Sequence, residues 1–73
     1  MLNLNEREIE LIKLHAKGKK CDEISLHMRC SKDWIKRANA ILKAKLNAVS
    51  IPQLICNAYE FGVLVPGWQL TDV

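Results

Sequence analysis

Apolar positions between Asn5 and Gly18 gather on one helical face, with Leu11 and Ile12 followed a turn later by His15. Asn5 with Glu8 three residues on has the form of an N-cap and capping box. Gly18 supplies a left-handed stop, so the pattern predicts a helix over about 6–17. A shorter segment over about 21–28 places Ile24 and Met28 at i, i+4. Met28-Arg29-Cys30-Ser31 then forms a tight turn, and Ser31 caps a third helix whose buried stripe is Ile35, Leu42 and Leu46. Ser50 with Gln53 makes a second capping box, and Pro52 stands in the first turn, where its missing N–H does no harm. The fourth helix carries Leu54, Ile55, Ala58 and Phe61 and stops at Gly62. No segment alternates as a strand does, and Val63 to Trp68 is too short and broken for one. The expected fold class is all-α with four helices, in a domain over 1–64 followed by a C-terminal tail over 65–73.

Composition narrows the class of protein. The chain has 73 residues, 49% apolar and 26% charged, which is globular and not disordered. A chain this short buries only about 60% of its unfolded surface, so it must pack efficiently or pair with a partner. No apolar run is long enough to span a membrane, and the segment Met1 to Glu10 has neither the basic nor the apolar region of a signal peptide. The cysteines Cys21, Cys30 and Cys56 are odd in number and irregularly spaced, without a CxxC. That argues for free thiols in a reducing compartment, hence a cytoplasmic location. With His15 and His27 they match no zinc-ligand spacing, so no metal or other cofactor is expected. The histidines have no evident carboxylate partner, and Glu6, Glu8 and Glu10 suit the positive end of the first helix dipole. No catalytic constellation is present, and an enzyme is not expected.

Charge is more telling than its total. The net charge is +3, but residues 1–12 carry −2, residues 13–45 carry +7 and residues 46–73 carry −2. The third helix contains Lys32, Lys36, Arg37, Lys43 and Lys45. Two short helices joined by a tight turn, the second of them basic, is the arrangement of a helix-turn-helix. The major groove of B-DNA, about 12 Å wide, admits one such helix.

From Leu4 to Leu64 the chain resembles, without a gap, the LuxR/NarL/GerE-type helix-turn-helix domain. The opening Leu, Thr, any, Arg, Glu is matched by Leu4, Asn5, Glu6, Arg7 and Glu8. Ala16-Lys17-Gly18 matches the Ala-x-Gly after the first helix, and Glu23-Ile24 the scaffold-helix pair. Ser31-Lys32-Asp33-Trp34-Ile35-Lys36 matches the Ser-x-x-Thr-Val-Lys entry to the recognition helix, and Lys45-Leu46 its close. Ser50 to Phe61 with Gly62-Val63-Leu64 matches the fourth helix and its end. The resemblance implies a LuxR-type domain that binds double-stranded DNA with its third helix in the major groove, as a homodimer through the fourth helix. The implied base-reading positions are Lys36, Arg37 and Ala40. Lys32, Trp34 and Ala38 fall near phosphates, and Lys20 and Lys43 join them by charge. The dimer face would draw on Leu54, Ile55, Ala58 and Tyr59, the alternative being that these complete a thin core.

The departures share a direction. Positions that the family commonly gives to Thr, His and Arg are Trp34, Ala38 and Ile51, and Ile41 replaces a residue that is often polar. Asn39 runs the other way, at a commonly apolar position, and Asn47 stands where Gly is usual. Trp34, Ala38 and Ile41 at i, i+4, i+7 would form an apolar ridge. It could contact DNA, lie under the tail from Val65 to Leu70, or be a protein interface. The last gives the alternative function: an antagonist that pairs with another transcriptional regulator. No sensor domain accompanies the helix-turn-helix, so the expectation is a stand-alone regulator or a fragment.

Overall fold

The computed structural model describes residues 3–68, and they form four helices and no strand. These are α1 (Glu6–Ala16), α2 (Cys21–Met28), α3 (Lys32–Lys45) and α4 (Ile51–Glu60). Their boundaries follow from local chemistry. The Glu8 backbone N–H donates to Asn5 Oδ1 at 2.8 Å while the Asn5 N–H donates to Glu8 Oε1 at 3.1 Å, the reciprocal box that opens α1. Ser31 Oγ accepts from the Trp34 N–H at the start of α3. The second capping box forms only by half. Ser50 Oγ accepts from the Gln53 N–H, but Gln53 Oε1 reaches past Ser50 to the Val49 N–H at 2.7 Å.

Three helices end alike. After α1, α3 and α4 the chain turns left-handed at Gly18 (φ 80°), Asn47 (φ 55°) and Gly62 (φ 79°). Paired bonds close the last turn each time, such as Lys19 N–H to the Leu14 carbonyl and Gly18 N–H to the His15 carbonyl. The corner between α2 and α3 is different, because Arg29 holds the left-handed conformation at φ 53°. Ser25 secures it: its carbonyl accepts from the Cys30 N–H and its Oγ–H donates to the Cys30 carbonyl at 2.9 Å.

One core joins the four helices. Leu11, Ile12, Ile24, Ile35, Leu42, Leu46, Leu54, Ala58 and Leu64 are buried, each large side chain contributing about 1.5–3 kcal/mol by leaving water. Trp68, from the expected tail, belongs to the same core. Its indole N–H donates to the Tyr59 hydroxyl at 2.9 Å, and the ammonium groups of Lys13 and Lys17 lie 5.6 Å from its ring. The tail's tryptophan is thus seated against residues of α1 and α4. Leu70 and its neighbours fall outside the described residues.

Candidate nucleic-acid interface

α3 has fourteen residues and so runs about 21 Å. Its inner side is made by Ile35, Ala38 and Leu42, all buried. Lys32, Lys36, Ala40 and Lys43 recur at i, i+4, i+8 and i+11 on the outer side, with Arg37 beside them. Lys32, Lys36, Arg37 and Ala40 are exposed and Lys43 is half-buried. The outer side is therefore a mainly basic strip, with exposed Asp33 in its first turn and the small residues Ala40 and Ala44 further along, where a close approach meets no bulk.

The cations differ in what holds them. Lys45 Nζ donates to both carboxylate oxygens of Glu8 at 3.1 Å and to the Asn3 carbonyl at 2.8 Å. Lys32 pairs with Asp22, tying the first turn of α3 to that of α2 and bringing exposed Lys20 to the same end of the motif. Asp22 raises the Lys32 ammonium above its ordinary 10.5, first by the side-chain hydrogen bond and then by charge. Lys36 and Arg37 have no ion-pair partner among the described residues. With half-buried Lys43, which has none either, they are the cations of α3 that can meet a polyanion without breaking an internal bond.

The apolar ridge expected at Trp34, Ala38 and Ile41 is not a continuous surface. Ala38 is 6% exposed and part of the core, while Trp34 is half-buried beneath Arg7, whose guanidinium lies 4.6 Å from the ring centre. Ile41 alone is well exposed, at 50%. At about 100° per residue the three positions border the arc of Ile35 and Leu42, so the inner face of α3 is wider than its most hydrophobic residues suggest. The fourth helix needs a similar correction. Leu54 and Ala58, expected at a dimer face, are fully buried because α4 packs on both α1 and α3. Ile55 is half-buried and Tyr59 exposed, beside exposed Phe61 and Val65.

Several contacts escaped sequence reasoning, among them the pair of His27 Nε2 with Glu10 Oε1 at 3.3 Å and two that meet α3. The Nε2–H of His15 donates to Asn39 Oδ1 at 2.8 Å, linking α1 to α3. The signal was available: a polar residue at a commonly apolar position of α3, with a histidine on the apolar face of α1. The seat of Arg7 on Trp34 had no such local sign, since 27 positions separate them.

Among the described residues no group of three His, Cys, Asp or Glu could hold a metal ion, and no helix is long and apolar enough to cross a membrane. The arrangement as a whole, a braced basic helix after a tight corner, defines a helix-turn-helix domain. The chain belongs to the GerE family, the bacterial regulatory proteins of the luxR family, whose model matches residues 2–58. Comparison with curated proteins and with solved structures gives no significant match.

Proposed function

We propose that this protein is a sequence-specific regulator of transcription that places α3 in the major groove of double-stranded DNA. The observation that carries the reading is the state of Lys36 and Arg37: exposed, side by side on the outer face of α3, and without an internal ion pair. Lysine and arginine donate to guanine O6 and N7, and small Ala40 lets the helix seat deeply enough for them to reach base edges. Lys32, Lys43 and Lys20 contact phosphates on either side of the motif. Binding to two half-sites uses a homodimer, with Ile55 and Tyr59 of α4 and the adjoining Phe61 and Val65 as its apolar surface. The protein acts in the cytoplasm.

A salt titration tests this. The logarithm of affinity should fall linearly with the logarithm of salt concentration, with a slope of about −0.9 per phosphate contacted. Lys36→Ala and Arg37→Ala should each weaken binding to a duplex enriched from a randomised pool and relax base preference at one position. Absence of DNA affinity at low salt defeats the reading and leaves the antagonist of another regulator in its place. Sedimentation of the chain alone and on a two-site duplex checks the dimer.

A further inference from the structure

We infer that Arg7, on α1, is a phosphate contact of this domain and that Trp34 is the positioning residue that holds it there. The inference rests on the DNA-binding reading above and extends it to a residue outside the helix-turn-helix. A helix with its side chains measures about 10–12 Å across and the major groove about 12 Å. Both flanks of α3 therefore run against sugar-phosphate walls. One flank carries its own cations, Lys32 and Lys43. The other carries Trp34 and Ile41, and its one lysine, Lys45, is engaged by Glu8 and the Asn3 carbonyl. Arg7 is the cation that reaches this second flank.

The geometry suits the task. Arg7 is exposed and has no ion-pair partner among the described residues, and its guanidinium carbon lies over the half-buried Trp34 ring, 4.6 Å from the centre. A guanidinium lying on an indole keeps its N–H donors in its own plane, directed away from the ring, where a phosphate can take two of them. Trp34 is itself fixed: it sits in the first turn of α3, its backbone N–H bound by Ser31, and it packs against the core. The acids of α1 do not oppose the contact. Glu8 is neutralised by Lys45, and Glu6 and Glu10 line the groove on the side facing His27.

The test measures filter binding of the full chain to a short mixed-sequence duplex across a range of salt. Arg7→Gln should reduce the steepness of the salt dependence by about 0.9, one phosphate's worth, and leave base preference on an enriched duplex unchanged. Trp34→Met, which keeps an apolar side chain but loses the π face, should give the same reduction, and Trp34→Phe should restore most of it. The double variant Arg7→Gln with Trp34→Met should fall no further than either single one, which a merely structural role for Trp34 does not predict. An unchanged slope for Arg7→Gln, with Lys36→Ala still weakening binding, overturns this inference and leaves the regulator reading standing. If Lys36→Ala also has no effect, the regulator reading fails and the phosphate contact with it.

Discussion

Lys45 and Lys36 lie on the same helix and have opposite surroundings. Lys45 bridges the nearly buried Glu8 and the Asn3 carbonyl, closing the seam between α1 and the end of α3. Lys36, with Arg37, faces solvent and has no acid to answer it. A run of basic residues therefore divides into cations that hold the fold and cations available to a ligand. Charge along the chain does not make the division; tertiary pairing does.

The largest effect that sharpens this contrast should come from Glu8→Ala. It removes half of a capping box and strands Lys45, and should lower stability by about 2–4 kcal/mol in urea unfolding. The salt slope of DNA binding by the folded protein should not become shallower. Lys36→Ala and Arg37→Ala should invert that outcome. Each should cost about 1–3 kcal/mol of discrimination on an enriched duplex and shift the unfolding free energy by less than about 0.5 kcal/mol. If either one destabilised the fold as Glu8→Ala does, the division between the two kinds of cation would not hold.

Smaller effects fall at the corner between them. Arg29 holds a left-handed conformation that costs about 1 kcal/mol in a residue with a Cβ. Arg29→Gly should accordingly raise the urea midpoint slightly, offset in part by the greater freedom of glycine in the unfolded chain. The smallest change in stability is expected from Asp22→Asn, since the pair with Lys32 is exposed. Its sign is set by linkage. Asp22 raises the Lys32 pKa on folding, so the pair's contribution is present at neutral pH and is lost as pH climbs through the raised value. Melting temperatures of the two forms should converge in strong alkali. At neutral pH, Asp22→Asn should tighten DNA binding at low salt, because Lys32 is released and a carboxylate leaves the basic strip.

Most of the fold was legible because helix ends are local events. Asn5, Gly18, Ser31, Ser50 and Gly62 each act through neighbours within a few residues, and the four helices fall where they mark them. The candidate site was legible in part. Lys36 and Arg37 project outward because Ile35 and Leu42 must project inward, and periodicity alone says so. Periodicity does not say how wide the buried arc is. Ala38 is core, and of the α4 residues that could either face a second copy or complete a thin core, Leu54 and Ala58 are buried within this one. Both outcomes depend on which neighbours a helix acquires at long range, and no spacing within the helix encodes that. The stack of Arg7 on Trp34 is hidden for the same reason.

The placement of the two tryptophans has a practical consequence. Trp68 is sealed between α1 and α4, whereas Trp34 stands half-open beside the basic strip. The molecule thus holds two intrinsic fluorophores with separate duties. Trp34→Phe should leave an emission that follows unfolding and ignores added duplex, and Trp68→Phe one that registers a duplex arriving at α3.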